Sequence, residues 1–370
     1  MMRLAVAVTV ALVLGTPAEP LAAAQSRRSS RPSVAKVAQA GKRPAARKRS
    51  GARKPVASRA TRRYSAAASR ARAARVASAR AAAVARTRET QTPRFKLDDL
   101  GEQVPDVRAA AAIIYNPETN QVLWESNSQD QLSIASITKV MTALVFLESG
   151  MPLSTRVNVQ RSDVYRASTT YIRVGYEVTA DDLLNLLLIG SDNAAARALA
   201  RVSPYGASGF VDRMNQKAAE LGLERTHYAD PSGLLASNVS SAYDMARLIA
   251  FVSADERMGS VMRKAKHTVY AGNRQINVSS TNHLVRSGEF DVVGGKTGFI
   301  SRSGYCLATM LRLPRTGQKV AVVVLGARSN QGRFWETRHL FNWMSTHTQK
   351  LLNMGAQPQP QPRENDAAPQ

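Results

Sequence analysis

Cysteine is almost absent from this sequence of 370 residues: the only one is Cys306. An intramolecular disulfide is therefore excluded, and the fold must be stabilised by a packed core. Because Cys306 lies in the apolar, strand-like run YCLATML, we interpret it as a small buried hydrophobic residue. Hydrophobic residues make up 44% of the chain, which is enough for a sizeable core.

Long hydrophobic runs are equally scarce. The run near the N-terminus, residues 4–15, is too short to span a bilayer. Arg3 precedes it and the small residues 22–24 follow it, which is the pattern of a secretory signal peptide over residues 1–24. No other segment is apolar enough to cross a membrane, so the sequence predicts a mature protein that is periplasmic or otherwise exported, is soluble and has no transmembrane segment.

Acidic residues are few: 27 Asp and Glu face 51 Lys and Arg, and the net charge is +24. The excess is concentrated in residues 25–90, which contain 20 basic residues and one acidic residue. The Ala/Arg-rich composition of residues 25–95 predicts a disordered basic tail, and the Pro/Gln-rich residues 353–370 predict a second one. The basic tail either binds polyanions, such as cell-wall polymers, lipid headgroups or nucleic acid, or acts as a solvated spacer.

Histidine is rare as well, with five residues. None lies near carboxylates at metal-ligand spacing, so the sequence predicts no metal site and no cofactor. None accompanies a Gly-x-Ser-x-Gly turn, which argues against a Ser-His-Asp hydrolase. Any catalytic chemistry must therefore come from other side chains.

The order of strand-like and helix-like segments predicts an α+β fold for residues 96–352. A β-hairpin is expected over 109–125, and three strand-like runs, DVVGGKTGFI, YCLATMLRL and KVAVVVLGAR, come towards the C-terminal end. Helical patterns fill the middle at 136–148, 180–189, 194–201, 208–221 and 242–252, and a final helix is expected over 334–352. The simplest closure is an antiparallel sheet formed by N- and C-terminal strands, with an inserted helical cluster and with the first and last helices on a sheet face.

A serine and a lysine open the first of these helices, in SIASITKVMTALVFL at 133–147. Ser136 and Lys139 are three residues apart, so the hydroxyl and the amine share a helix face. The apolar flank predicts a helix buried all round, where desolvation lowers the pKa of an amine. A neutral Lys139 can take the proton of Ser136 and create a nucleophile. Ser-x-x-Lys alone is a weak signal, since it also occurs at 33–36 in the basic tail.

A second polar group lies between two helical runs. Ser191, Asp192 and Asn193 follow Gly190, which ends the first run. Their side chains can project into a cleft, where a hydroxyl shuttles a proton and an amide fixes a lysine or a substrate. They can equally cap a helix, since all three residue types cap well.

A third group lies in the glycine-rich strand VVGGKTGFI. Lys296, Thr297 and Gly298 are consecutive, so the lysine and the threonine point to opposite faces unless the strand is distorted. The glycines allow a ligand backbone to approach. Such an edge can bind an extended peptide, with Lys296 on its terminal carboxylate.

Taken in order, Ser-x-x-Lys, Ser-Asp-Asn and Lys-Thr-Gly are the motifs of penicillin-binding proteins and class A β-lactamases. With ADPSGL at 229–234 and TNHLV at 281–285, the chain from about 107 to 352 resembles a low-molecular-mass penicillin-binding protein of the D-alanyl-D-alanine carboxypeptidase/endopeptidase group, peptidase family S11. The resemblance implies the penicillin-binding protein/β-lactamase-like transpeptidase fold. It also implies a serine DD-peptidase that cleaves D-alanyl-D-alanine or D-alanyl–diaminopimelate bonds of peptidoglycan stem peptides, remodels the cell wall and is covalently inhibited by β-lactam antibiotics.

The resemblance implies a role for each catalytic position. Ser136 is the nucleophile that forms the acyl-enzyme, and Lys139 is its general base. Ser191 relays a proton to the departing D-alanine. The backbone N–H of Ser136 forms one half of the oxyanion hole.

It also implies the substrate-binding positions. Asn193 lines the cleft, and Lys296 and Thr297 bind the terminal carboxylate of the substrate or of a penicillin, with Gly298 in the same motif. The backbone N–H of Phe299 forms the other half of the oxyanion hole. Which of the two lysines is neutral at rest stays open, because close ammonium groups depress each other's pKa.

Two alternatives to the DD-peptidase remain. A serine β-lactamase of class A deacylates with a glutamate in a Glu-x-x-Leu-Asn loop, which is absent; Glu220 and Glu224 are the closest glutamates and belong to a helix end. A polyanion-binding protein with a vestigial catalytic core is supported only by the basic tail. Within the DD-peptidase group, the chain ends soon after its last helix, which resembles the periplasmic endopeptidases more than the anchored, two-domain carboxypeptidases.

Overall fold

The computed structural model describes residues 59–353, so the predicted signal peptide and residues 354–370 lie outside the described residues. The strands are β1 (Phe95–Leu97), β2 (Gln103–Pro105), β3 (Ala111–Asn116), β4 (Gln121–Ser126), β5 (Leu132–Ser133), β6 (Arg156–Asn158), β7 (Glu177–Thr179), β8 (Val239–Ser240), β9 (Lys266–Ala271), β10 (Arg274–Ser279), β11 (Val292–Ile300), β12 (Gly304–Arg312) and β13 (Lys319–Ala327). The helices are α1 (Arg59–Gln91), α2 (Lys139–Glu148), α3 (Arg161–Val164), α4 (Ala180–Ile189), α5 (Asn193–Val202), α6 (Gly206–Glu220), α7 (Ala242–Ala254), α8 (Glu256–Met262), α9 (His283–Ser287) and α10 (Asn330–Asn353).

The chain divides into two compact units, Met1–Ala67 and Ala68–Gln370. Of the first unit the structure describes only residues 59–67, which are helical. The second unit contains the sheet, the helical cluster and the motifs. None of the helices between residues 59 and 353 combines the length and the apolarity needed to span a bilayer.

Five antiparallel strands form the central sheet in the order β11-β12-β13-β3-β4. The N-terminal hairpin β3-β4 joins the C-terminal strands where β3 pairs with β13, with Ile113 opposite Val323. The predicted antiparallel sheet made from both ends of the chain is therefore confirmed. β11 and β4 are the outer strands, and β11 presents the Lys-Thr-Gly motif at one edge of the sheet.

Side chains alternate along the strands and fill two cores. Ile113 and Val323 enter the larger core beneath the inserted helices, whereas Ile114 and Val322 enter the smaller core beneath α10. α7 packs across β3, β12 and β13 on the first face, and α10 packs on β12 and β13 on the second. Cys306 is buried, as the sequence predicts.

The first inserted helix lies elsewhere than predicted. The sequence places the first and last helices on a sheet face, and only α10 lies there as expected. α2 packs instead among α4, α5 and α6, because every residue from Lys139 to Leu147 is buried. A helix that is buried all round needs neighbours on each side, which other helices provide for α2. The helix that covers this face of the sheet is α7.

Part of the tail that the sequence predicts to be disordered is helical. The sequence predicts disorder over residues 25–95, whereas Arg59–Gln91 form a helix of 33 residues. Alanine has the highest helix propensity and arginine is close to it, and a segment of this length can be helical without a packing partner. The described side chains between residues 67 and 85 are exposed. Propensity, rather than burial of a hydrophobic face, therefore accounts for the helix.

Candidate active site

Ser136 lies in a 3₁₀ turn, Ala135–Thr138, that leads directly into α2. Ala135 has a φ of +48°, a left-handed conformation that is unfavourable for a residue with a side chain. Ala135 and Ile137 are buried, whereas Ser136 is half-buried. The strained turn thus leaves the Ser136 side chain partly accessible while the other three residues of the turn are buried.

Gly233, in the ADPSGL segment, closes over this turn. A Cβ at position 233 would lie 2.1 Å from the Ala135 carbonyl oxygen and 2.9 Å from the Ser136 nitrogen. The φ of Gly233 is +77°, which other residues also avoid. Both the close contact and the positive φ therefore require glycine at position 233, and the segment packs directly on the backbone of Ser136.

Lys139 is fully buried one helical turn after Ser136. Its Nζ is 2.9 Å from Ser136 Oγ and 2.6 Å from Asn193 Oδ1, and it also donates to the Ser232 carbonyl oxygen. Asn193 Nδ2 donates to the Ala167 carbonyl oxygen at 2.5 Å, which directs Oδ1 towards the amine. Two of the three hydrogen-bonding directions of Lys139 are thus held by oxygen atoms that only accept, and the third points to the Ser136 hydroxyl.

Burial changes the charge of this amine. Desolvation lowers the pKa of Lys139 from 10.5 to about 7, although the carboxylates of Asp230 and Asp192 oppose the shift. A substantial fraction of Lys139 is therefore neutral near neutral pH. A neutral amine at this distance can accept the proton of Ser136 and make its oxygen a nucleophile.

The Ser-Asp-Asn motif forms the junction between α4 and α5. Ser191 has a φ of +60°, and Asp192 caps α5 by accepting the Ala195 N–H at 2.9 Å. The second oxygen of Asp192 accepts the Tyr171 N–H at 2.6 Å. Both interpretations of the motif therefore apply: Asp192 is a cap, and the cap holds Ser191 and Asn193 with their side chains in the site.

Lys296 of β11 faces the same site from the opposite side. Its Nζ donates to Ser191 Oγ at 2.8 Å and to the Thr297 carbonyl oxygen at 2.9 Å. It is fully buried, and its pKa lies well below the ordinary value because of burial first, and then because of the positive charges of Lys139 and Arg333. Burial and mutual repulsion therefore favour a neutral form of at least one of the two lysines.

Thr297 is buried beside Lys296, although the two residues are adjacent in the strand. Its Oγ1 is 2.6 Å from Thr281 Oγ1, so the TNHLV segment touches the Lys-Thr-Gly strand at this hydroxyl. The hydroxyl pair lies one residue from the Lys296 backbone.

Gly298 allows β11 to approach the 3₁₀ turn. A Cβ at this position would lie 2.6 Å from the Ile134 carbonyl oxygen and 3.2 Å from the Ser136 nitrogen. The backbone of β11 therefore passes directly beside the backbone of the serine. The side chain of Phe299 is 48% exposed and stacks on Tyr305, with ring centroids 4.2 Å apart, so its backbone rather than its ring belongs to the inner site.

The structure brings all the predicted site residues together where the 3₁₀ turn, the α4–α5 junction and β11 meet. Three contributors were not predicted: the Ser232 carbonyl, the Asp230 carboxylate and the Arg333 guanidinium. Asp230 accepts the N–H groups of Ser232 at 2.6 Å and Gly233 at 2.8 Å, an arrangement for which Asp-Pro-Ser-Gly is a recognisable turn sequence. A backbone carbonyl and a distant arginine leave no comparable signal.

Hydrogen bonds also fix the charge of Asp230. Burial by itself would raise the pKa of this carboxyl group, but bonds from Ser232, Leu235 and Asn238 together hold the pKa below its usual value. A carboxylate at Asp230 is therefore present near Lys139. Residues 59–353 contain no group of three or more His, Cys, Asp and Glu side chains placed to hold a metal ion.

The chain is similar in sequence to one family of enzymes. The family model described as D-alanyl-D-alanine carboxypeptidase, Peptidase_S11, matches residues 99–329. The D-alanyl-D-alanine endopeptidase of Pseudomonas aeruginosa is 33% identical over 245 residues, a match that covers 65% of this chain and 78% of that protein. A D-alanyl-D-alanine carboxypeptidase of Bacillus subtilis is 29% identical over 235 residues, which cover 61% of this chain and 59% of that protein.

Among solved structures, the Streptomyces K15 DD-transpeptidase has a similar fold. The TM-score is 0.61 at 26% sequence identity, and the match covers 65% of this chain and 97% of that one. The sheet and the helical cluster are therefore shared over almost the whole length of that enzyme.

Proposed function

Because the chain belongs to the D-alanyl-D-alanine carboxypeptidase family, peptidase S11, we propose that it opens the D-alanyl–diaminopimelate cross-links of peptidoglycan as an endopeptidase. As a member of that family it is a serine-type DD-peptidase that acts on peptidoglycan. The proposal concerns which bond is cleaved and which residues cleave it.

One observation carries the catalytic assignment: the Nζ of a fully buried lysine lies 2.9 Å from the hydroxyl of a half-buried serine. When Lys139 is neutral, its two hydrogens are donated to Asn193 Oδ1 and the Ser232 carbonyl oxygen. The lone pair then faces Ser136, whose hydroxyl becomes the donor. Lys139 takes the proton as Ser136 Oγ attacks the carbonyl carbon of D-alanine.

The negative charge that develops on the substrate oxygen is bound by the backbone N–H groups of Ser136 and Phe299. The proton that Lys139 took from Ser136 is relayed by the Ser191 hydroxyl to the departing amine, which leaves Lys139 neutral again. Lys296, which donates to Ser191 Oγ at 2.8 Å, binds the terminal carboxylate of the substrate. The C–N bond breaks, the amine leaves, and an ester to Ser136 remains. Water then attacks this ester: Lys139 takes a proton from the water and returns it to Ser136 Oγ as the C–O bond of the ester breaks, which restores the serine and the neutral amine.

The choice of an endopeptidase is supported by the extent of the relatives. This chain covers 78% of the Pseudomonas aeruginosa endopeptidase but 59% of the Bacillus subtilis carboxypeptidase. In cross-link cleavage the leaving group is the side-chain amine of diaminopimelate instead of free D-alanine, and the acylation chemistry is otherwise the same.

The β-lactamase alternative has little support from the position of the glutamates. Glu220 is exposed and pairs with Arg213 at 2.5 Å, and Glu224 is exposed as well. Neither is available to activate a deacylating water at Ser136. We therefore propose that a penicillin acylates Ser136 and that the acyl-enzyme persists.

Two further proposals concern location and the basic tail. Residues 1–24 support export to the periplasm. The arginines of α1 and of the preceding residues support binding of an acidic polymer of the cell envelope. Deleting residues 25–91 should then weaken retention on purified cell walls and leave cleavage of a soluble peptide unchanged.

The experiment that tests the endopeptidase function is digestion of purified peptidoglycan, followed by mass spectrometry of the muropeptides. Cross-linked dimers should decrease and monomers increase, while the pentapeptide content stays constant. Loss of terminal D-alanine with intact dimers would instead make the enzyme a carboxypeptidase. Ser136→Ala is the matched control and should change neither.

A further inference from the structure

Arg333 contacts the Lys-Thr-Gly strand and has no assigned role in the reaction. It lies in the first turn of α10 and is 6% exposed. Its Nη1 donates to the carbonyl oxygens of Gly298 at 2.9 Å and Cys306 at 3.1 Å, which are paired residues of β11 and β12. Its Nη2 donates to Asn330 Oδ1. A buried cation is thus directed at the backbone of the site.

The contacts of this guanidinium are unusual for a buried charge. Within the described part of the chain its hydrogen-bond partners are carbonyl and amide oxygens instead of a carboxylate. The rings of Phe334 and Tyr305 lie 4.9 Å and 5.6 Å from its central carbon. Burying a cation without a carboxylate partner is costly. A role for this buried charge must therefore come from its interaction with the two peptide groups.

The peptide group between Gly298 and Phe299 connects Arg333 to the oxyanion hole. In a trans peptide the C=O and the N–H point in opposite directions. The Gly298 carbonyl oxygen faces Arg333 and the Cys306 side of β11, so the Phe299 N–H points to the free edge of the sheet. The Ser136 nitrogen lies beside the same peptide group, 3.2 Å from the position of a Cβ on Gly298.

We propose that Arg333 is a positioning residue that fixes and polarises the Gly298–Phe299 peptide group, so that the Phe299 N–H is a stronger and better aligned donor to the oxyanion. A cationic donor on the carbonyl oxygen draws electron density from the amide nitrogen, and hydrogen bonds in a chain reinforce one another. The gain is largest when charge develops on the substrate oxygen, so it accelerates acylation more than it strengthens binding. The inference rests on the oxyanion role proposed above for Phe299.

The test uses the full-length mature protein and a β-lactam labelled with ¹³C at the lactam carbonyl. Rapid-mixing kinetics separate the dissociation constant of the non-covalent complex from the acylation rate constant. Infrared difference spectra give the stretching frequency of the ester carbonyl in the acyl-enzyme, which falls as the oxyanion hole binds it more strongly. The variants are Arg333→Gln and Arg333→Lys. Arg338→Gln is the control, because Arg338 lies on the same helix and pairs with Glu289.

We expect Arg333→Gln to lower the acylation rate constant by roughly 10-fold or more. This effect should stay smaller than that of deleting an oxyanion donor, which is ~10²–10³-fold. The dissociation constant should change little, and the ester carbonyl band should move to higher frequency. Arg333→Lys should restore part of both effects, since one charged donor remains, and Arg338→Gln should leave both unchanged. A weaker non-covalent complex with an unchanged band would overturn the proposal and assign Arg333 to the substrate carboxylate. An unchanged rate and band would overturn it as well.

Asn330→Ala keeps the proposal testable if the Arg333 variants do not fold. The side chain of Asn330 is exposed and its removal frees one end of the guanidinium. A smaller shift of the carbonyl band in the same direction is expected, and the absence of any shift would contradict the proposal. Failure of the proposed function is read separately: cross-linked dimers would then persist in the muropeptide digest of the wild-type enzyme, whatever the Arg333 variants do to the acylation rate and the carbonyl band.

Discussion

Two lysines of this protein are buried to the same degree but have different surroundings. Around Lys139 the carboxylates of Asp230 and Asp192 oppose the effect of burial, and the pKa is about 7. Around Lys296 the neighbouring charges are the cations Lys139 and Arg333, which lower its pKa further. The first environment suits a base that exchanges a proton near neutral pH. The second has an excess of positive charge, which suits a site that an anion completes.

The same residue type therefore has two uses within one site. A substrate carboxylate bound at Lys296 would raise the pKa of this amine and favour its charged form. Lys139, which has acceptors on two sides, would stay free to exchange its proton with Ser136. We therefore expect the loss of Lys139 to affect the reaction rate and the loss of Lys296 to affect substrate binding.

The largest effect should come from the nucleophile that both lysines serve. Ser136→Ala should abolish labelling by a fluorescent penicillin and all DD-peptidase turnover, because it removes the hydroxyl that lies 2.9 Å from the buried amine of Lys139. Labelling is measured on a denaturing gel. Ser133→Ala, three residues earlier, is the control and should retain labelling. Labelling of Ser136→Ala would remove this residue from the mechanism.

The next largest effect should follow from Lys139→Met, which keeps the length and apolar stem of the side chain. The acylation rate constant should fall by ~10²–10⁴-fold, the usual contribution of a general base, with a small change in KM. Lys139→Arg should be no better, since a guanidinium stays protonated. A rate close to that of the wild type in either variant would show that another group takes the proton.

Lys296→Met should have a smaller effect, of a different kind. A charged hydrogen bond contributes about 1.5–3 kcal/mol, so kcat/KM for a substrate with a free carboxylate should fall by roughly 10–100-fold, mostly through KM. An amidated substrate should show little difference between variant and wild type. If the variant lost kcat instead, with KM preserved, the division of roles between the two lysines would be wrong.

The pH dependence of acylation should show the smallest effect on the rate, and it tests the assignment of the base directly. Acylation should increase as pH rises through about 7, where Lys139 loses its proton, and level off above. Since the folded pKa lies below 10.5, the unfolded chain binds more protons between these values, and the contribution of this group to stability should increase from pH 7 to 10.5.

Arg197→Gln should move the kinetic midpoint upwards, because the positive charge of Arg197 lowers the pKa of Lys139. Arg312→Gln, which removes the exposed partner of Asp291, is the control and should leave the midpoint unchanged. A midpoint that moved downwards in Arg197→Gln would contradict the assignment of the titrating group.

Much of the fold is visible in the sequence where local signals are strong. The predicted helix at 180–189 coincides with α4, whose start is marked by Thr179, which accepts the Asp182 N–H in a capping box. The hairpin β9-β10 was not predicted, since its residues are largely polar and exposed and lack a marked alternation. Helix α1 was misjudged because helix propensity alone, without burial, formed it.

The residue order alone was enough to indicate the class of fold and the type of chemistry, because hydrophobic periodicity and three ordered motifs are local properties of the chain. The protonation state of Lys139 and the hydrogen-bond partners of the two lysines required the folded chain. The Ser232 carbonyl is 93 residues from Lys139, and Ser191 is 105 residues from Lys296. Desolvation and hydrogen bonding act over a few ångströms in space, so they follow from which segments meet and not from the segments themselves.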